Sequence, residues 1–122
     1  MQSKAKNLLR VEKKVMQIPQ TGLLEVNLES NSESISIESD EQIEKIVKAL
    51  SSRTRRRILQ IIQEDPMDVS HIAAVLTMTE ANISAQIKKL EGAGLISCSY
   101  SSGDHGVRKI SCIKFNRLVI KF

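Results

Sequence analysis

The amino-acid sequence predicts an α+β chain that is mainly helical. Three observations carry this. Between Ser39 and Gly94, apolar residues recur at steps of three and four, the period of helices buried along one face. Within that span, two short helical segments are separated by only Thr77 and Met78, the spacing of a helix-turn-helix. After Gly94 the apolar period drops to two around a Gly-containing turn, as in a β-hairpin.

Each element has its own signals. From Ser3 to about Gln17, Leu8, Val11, Val15 and Ile18 form a helical stripe, leaving Lys4, Lys6, Arg10, Lys13 and Lys14 for solvent. Such a basic amphipathic helix suits packing or dimerisation; a basic arm on DNA and an unstructured tail are the alternatives. Pro19 and Gly22 break the pattern. Leu24, Val26 and Leu28 then alternate with polar residues, as do Ile35 and Ile37, which predicts an acidic β-hairpin over 23–38, with a Ser-rich linker as the alternative. Ser39 to Gln42 has the form of a capping box, with Asp40 and Glu41 at the positive end of the helix dipole. Ile43, Ile46, Val47 and Leu50 predict a helix over about 40–51. Ser52 caps the next, with Ile58, Leu59, Ile61 and Ile62 as its core face and Pro66 as its stop. Ser70 is expected to cap a third helix that buries Ile72, Ala73, Val75 and Leu76. Thr79 caps a fourth, where Ile83, Ile87 and Leu90 recur and Gly94 supplies a left-handed end against Leu95.

Beyond it, Ile96, Cys98 and Tyr100 alternate with serines, Ser102 to Gly106 is turn chemistry, and Val107–Phe115 returns as a second strand. A last strand covers Leu118–Phe122. A helix-turn-helix followed by a hairpin with a Gly-rich tip is a winged helix-turn-helix. The chain therefore divides into an N-terminal helix/β-hairpin extension (1–39), the winged helix-turn-helix (40–116) and a C-terminal strand (117–122).

Length and composition agree with this reading. A chain of 122 residues with 41% hydrophobic and 26% charged residues has the size and composition of one globular domain. No apolar run approaches the roughly 18 residues of a membrane span. The N-terminus lacks a signal-peptide core, so no membrane partner and a cytoplasmic location are expected. Two cysteines make no disulfide scaffold. Charge is segregated: residues 1–18 hold five Lys/Arg against one Glu, 19–44 hold seven acids and no base, and 45–122 hold thirteen bases against six acids. A basic C-terminal two-thirds points to a polyanion. One Tyr, two Phe and no Trp leave few rings for stacking unpaired bases, which favours double-stranded DNA over single strands. No phosphate loop, nucleophile motif or paired carboxylates in an apolar setting is visible, so neither an enzyme nor a cofactor is expected.

Residues 47–96 resemble the winged-helix regulators of the arsenic-repressor (ArsR) family. Lys48–Leu59 (KALSSRTRRRIL) is similar to that family's second-helix signature. Asp68–Ile96 (DVSHIAAVLTMTEANISAQIKKLEGAGLI) is similar to its helix-turn-helix and exit, and Gly103–Cys112 with Leu118–Phe122 to a sub-branch of predicted regulators. The resemblance implies transcription regulation through DNA binding. Two departures stand out. Thr77 occupies the turn position that usually holds Gly, and His71–Leu76 lacks the Cys pair of the metal-sensing members. The resemblance is thus to the non-metal-sensing branch. The family's C-terminal dimerisation helix has no counterpart here, so a homodimer is expected to use the N-terminal extension with the first core helix and the last strand. In that arrangement Leu118, Ile120 and Phe122 face a hairpin of either subunit.

At about 100° per residue, the fourth helix turns Ala81, Ser84, Ala85 and Lys88 away from Ile83, Ile87 and Leu90, with Asn82 and Lys89 on one flank. This is the face that a recognition helix over about 79–92 lays in the major groove, Thr79 at its entry. Small residues admit close approach. Asn82 is the candidate base reader because Asn pairs with adenine bidentately, and Lys88 and Lys89 suit phosphate or guanine. Arg53, Arg56 and Arg57 are candidate phosphate contacts, while Arg55 is the one expected to pair internally with Glu44 or Glu91. In the wing, about 101–108, His105, Arg108 and Lys109 are candidates for the minor groove or its backbone, against the alternative of a solvated tip. A turn centred on His105 sets Cys98 opposite Cys112 and Tyr100 opposite Ile110. That admits a redox pair, although two buried free thiols fit the roughly 4.5–5.5 Å cross-strand spacing better. A metal site with His105 or His71 lacks matching ligand spacing.

These readings converge on a homodimeric, sequence-specific regulator of duplex DNA whose effector ligand the sequence does not reveal. A protein-interaction module and a non-specific architectural DNA binder are the rival readings.

Overall fold

The computed structural model describes residues 24–104 and 106–122. The N-terminal basic helix expected from Ser3 to Gln17 and the side chain of His105 lie outside the described residues. Strand β1 (Glu25–Glu29) and β2 (Ser34–Ile37) precede four helices, α1 (Asp40–Leu50), α2 (Arg53–Glu64), α3 (Val69–Leu76) and α4 (Glu80–Gly92). A two-residue β3 (Met67–Asp68) separates α2 from α3, and β4 (Ile96–Gly103), β5 (Gly106–Ile113) and β6 (Arg117–Lys121) follow α4. The winged helix-turn-helix and the α+β class hold.

The caps explain most boundaries. Ser39 and Ser52 accept from the backbone N–H of Gln42 and Arg55, and Thr79 from that of Asn82. The capping box at Ser39 is half made: the Gln42 side chain turns from the cap and donates to Ala93 O at 2.6 Å, tying α1 to the end of α4. The third helix is capped by Asp68, not Ser70, whose hydroxyl instead donates to the Glu80 carboxylate. Asp68 wins because a carboxylate can take both the His71 N–H and the charged Arg108 from the wing.

At the end of α4, Gly94 sits at φ 78° and Leu95 N–H closes on Leu90 O at 3.2 Å, the double-bonded Schellman ending. The helix-turn-helix turn repeats it, with Met78 N–H on Ala73 O at 2.9 Å, but its left-handed residue is Thr77 at φ 56°. A β-branched side chain there is strained, at about 1–2 kcal/mol. Replacing Thr77 with Gly relieves the clash and gives back part of the gain as unfolded-chain entropy. Thr77→Gly is therefore expected to raise the thermal midpoint by a few degrees; a lowered midpoint would show the threonine to be holding the turn.

The core joins all four helices to both sheets: Ile46, Ile58, Ile62, Ile72, Ile83, Ile87 and Leu90 are essentially inaccessible, and Leu28, Leu95, Ile96 and Phe115 close over them. Two residues expected inside are not. Val47 and Val75 are 50% and 55% exposed, each on the shoulder of a stripe whose centre its neighbours fill.

The strands form two three-stranded sheets, β2-β1-β6 and β3-β5-β4. The hairpin of the N-terminal extension pairs with the C-terminal strand of its own chain: Val26 lies opposite Ile37 and Ile120, and Leu28 opposite Ile35 and Leu118. One face of this sheet is apolar. The other carries Glu25–Lys121 and Glu29–Arg117 ion pairs. In the wing, Gly103 pairs with Gly106, so residues 104 and 105 connect the strands and the register is offset by one from a turn centred on residue 105. Cys98 therefore faces Ser111, and Cys112 faces Ser97 on the opposite side of the hairpin. Tyr100 likewise faces Lys109 rather than Ile110. The expected opposition of Cys98 and Cys112 is corrected, and with it the redox pair: successive residues of a strand point to opposite faces.

Candidate nucleic-acid interface

Helix α4 is fastened along one face and open along the other. Ile83, Ile87 and Leu90 are buried, whereas Ala81, Asn82, Ser84, Ala85, Lys88 and Lys89 are all exposed, the division the helical period predicts. Thr79 is exposed as well, but its hydroxyl is engaged as the cap, accepting from Asn82 N–H at 3.1 Å. The α3–α4 pair is braced at its open end by Ser70 and Glu80 and at the turn by Thr77. The result is a rigid ridge with small side chains at 81, 84 and 85 and polar ones at its flanks. That shape lets a helix backbone approach a groove wall closely.

The arginines that open α2 separate into two kinds. Arg55 is half-buried and donates from Nε to Ala49 O at 2.8 Å, from Nη2 to Lys48 O at 3.0 Å and from Nη1 to Gln86 Oε1 at 2.7 Å. It is internal, as expected, but its partners are two end carbonyls of α1 and a glutamine. Glu44 pairs with Lys48 and Glu91 with Lys109 instead. Carbonyls left over at a helix end attract a cation more locally than an exposed carboxylate does. Arg56 makes a similar bond to Leu50 O at 2.8 Å while staying exposed. Arg53 and Arg57 are exposed and form no ion pair among the described residues.

The wing is held rather than loose. Arg108 reaches from β5 to Asp68 Oδ2 at 3.2 Å, and His71 Nδ1 lies 2.8 Å from Asp68 Oδ1. The Asp68 carboxyl is held below its ordinary value, chiefly by the backbone N–H of His71 and further by the His71 ring and the Arg108 charge, against an opposing effect of burial. Lys109 Nζ lies 2.9 Å from Glu91 Oε1 at the end of α4, which holds the ammonium above its ordinary value. Lys109 thus sits midway along the wing, opposite Tyr100, rather than at its tip. Cys98 is half-buried beside Ser111, and burial pushes its thiol up.

The structure brings together Ala81, Asn82, Ser84, Ala85, Lys88 and Lys89 on one exposed face, and it ties Lys109 to Glu91 at the end of the same helix. The sequence reasoning missed Gln86 and Asp68, and it gave Glu91 to Arg55 where the structure gives it to Lys109. Gln86 was detectable as the residue one turn after Asn82. Its tie to Arg55 joins two segments that no local pattern connects.

Comparison with known proteins agrees with this architecture. Residues 52–97 match the family model described as "Bacterial regulatory protein, arsR family". The homodimeric winged helix-turn-helix DNA-binding domain Mb0332 (fragment 1–100) from Mycobacterium bovis, a possible ArsR-family transcriptional regulator, is 25% identical. The match covers 65% of this chain and 75% of that one with a TM-score of 0.54. An ArsR family transcriptional regulator of known crystal structure is 30% identical over 60% of this chain and 76% of its own, with a TM-score of 0.51. NolR from Sinorhizobium fredii, 17% identical, shares the fold over 62% of this chain and 72% of its own at a TM-score of 0.55. No curated protein sequence matches. With its helix-turn-helix matched by the family's own model and three-quarters of a family regulator aligned at 30% identity, the chain belongs to the ArsR family of winged-helix, DNA-binding transcriptional regulators.

Proposed function

We propose that the chain acts as a homodimer that reads a specific duplex site. Helix α4 lies in the major groove, and the wing, about 101–108, rests on the minor groove or backbone. The observation that carries this reading is the face of α4: small residues at 81, 84 and 85 between Asn82, Lys88 and Lys89, opposite a side locked into the core. Asn82 reads a base edge; Lys88, Lys89, Arg53 and Arg57 take phosphates, with Arg56 beside them and Thr79 at the entry. Arg108 and His105 serve the wing; Lys109 contributes there only by bracing β5. The self-association stated for the Mycobacterium bovis domain supports a dimer here. The exposed apolar rim of the sheet β2-β1-β6, formed by Leu24, Ile35 and Phe122, offers the surface for it together with α1. Metal sensing through the helix before α4 is not part of the proposal, because His71–Leu76 holds no cysteine. Action on DNA places the protein in the cytoplasm.

Two-fold symmetry sets the two α4 helices about 34 Å apart and calls for a roughly palindromic site. Fluorescence anisotropy with a duplex from the gene's own upstream region and a scrambled duplex, at about 50 and 200 mM salt, tests this; six to ten neutralised phosphates give a log–log slope of about −5 to −9. Asn82→Ala is expected to lose about 1–3 kcal/mol of discrimination at one base pair while scrambled DNA binds as before. Equal affinity for both duplexes would favour an architectural binder, and binding to neither would favour a protein partner.

A further inference from the structure

Gln86 lies at the side of the exposed face, half-buried, and joins two groups that otherwise have no connection. Its Oε1 accepts from Arg55 Nη1 at 2.7 Å, and its Nε2 donates to Asn82 Oδ1 at 3.0 Å. The polarity of this chain is dictated from one end. A guanidinium only donates, so the glutamine must turn its oxygen to Arg55 and its amino group to Asn82. Asn82 must then turn its own oxygen to Gln86, which leaves its amino group directed elsewhere, 3.8 Å from Met78 Sδ. Arg55 itself cannot swing, because Nε and Nη2 are bonded to the α1 carbonyls of Ala49 and Lys48.

We propose that Gln86 is a specificity-determining positioning residue: anchored by Arg55, it selects which way round the Asn82 carboxamide is presented to DNA. The inference rests on the reading that Asn82 meets a base edge. Adenine offers N7 as acceptor and its 6-amino group as donor, so an asparagine reads it with one amino hydrogen and one carbonyl lone pair in a defined order. The Asn82 oxygen has two lone pairs and can serve Gln86 and adenine together. A freely flipping carboxamide presents the reverse order half the time and must be ordered on binding. One held by Gln86 is ordered beforehand, which raises discrimination without adding a contact.

Gln86→Glu separates positioning from scaffolding. The carboxylate keeps, and strengthens, the acceptor for Arg55, but it has no hydrogen to give Asn82 and draws the asparagine's amino group toward itself. The full-length protein is compared as wild type, Gln86→Glu and Asn82→Ala, by thermal melting and by the ratio of affinities for the matched duplex and one altered at the base pair Asn82 reads. The ratio is the readout because the added negative charge weakens binding to every duplex alike. The expected result is a Gln86→Glu protein that melts no lower than wild type yet loses about fivefold or more of the discrimination that Asn82→Ala loses. Loss of discrimination by Asn82→Ala but not by Gln86→Glu would overturn the positioning role and leave the base-reading role intact. Retention by both would overturn the two together.

Discussion

Ile83→Ala is expected to lower the free energy of unfolding by about 2–5 kcal/mol, the range for deleting a buried branched side chain whose cavity cannot collapse. Ile83 is wholly inaccessible and, with Ile87 and Leu90, seats the exposed ridge of α4 in the core cluster that holds Ile46, Ile58 and Ile72. The core cluster around it is shared with three other helices, each pinned at a cap, so the space left by three carbons stays largely open. Against an ordinary total of about 5–15 kcal/mol, this is a large share of the stability. Urea denaturation checks it: the midpoint should fall with an unchanged slope, since the same surface is exposed on unfolding. The adjacent Ser84→Ala, on the exposed side, should stay within about 0.5 kcal/mol of wild type. A similar cost at both positions would mean that the helix faces another way.

Asp68→Ala is expected to cost about 2–3 kcal/mol, through loss of a helix cap and of a charge-assisted contact at once. Asp68 is 7% exposed, and its carboxylate serves three groups: the His71 backbone N–H, the His71 ring and Arg108 from the wing. Asp68→Asn keeps a cap acceptor and removes only the charge, so it should cost less, about 1 kcal/mol. The pH dependence has a definite sign. The folded carboxyl titrates below its unfolded value of about 3.9, so its contribution is complete above that value and disappears as pH falls through the folded one. The stability gap between wild type and Asp68→Asn should therefore close in the acid range below pH 4. A gap that persists undiminished to about pH 2 would place the effect in packing rather than in charge.

Both predictions turn on how local signals meet distant ones. The helical stripes over 40–94 were legible because one buried face leaves a period that survives in sequence. The serine and threonine caps at 39, 52 and 79 were legible because a cap is satisfied within three residues. Ser70 was misread for the same reason. It is as good a cap locally as Asp68, and what favours Asp68 is Arg108, forty residues away on the wing. Val47 and Val75 sit at stripe margins, where periodicity cannot say whether a neighbouring element covers the residue.

The wing shows the same division more sharply. Its two strands were plain from alternation, but its register depended on whether the tip spans one residue or two, and that single step turned Cys112 away from Cys98. The candidate interface divides likewise. The exposed face of α4 follows from the position of Ile83, Ile87 and Leu90, because residues of one helix are fixed relative to each other at about 100° apart. What those side chains can do depends on partners from elsewhere: Glu91 withdraws Lys109, and Arg55 with Gln86 orients Asn82.

The sequence by itself determined the order of elements, the winged helix-turn-helix, the buried stripes and the face that α4 presents, all consequences of periodicities and caps written within a turn or two of chain. Only the tertiary structure decided the strand register, the pairing of the N-terminal hairpin with the C-terminal strand of the same chain, and the assignment of each charged or amide group to its partner. Those choices are made between segments tens of residues apart. There, small differences in geometry and desolvation, rather than local propensity, select one partner among several of equal chemical merit.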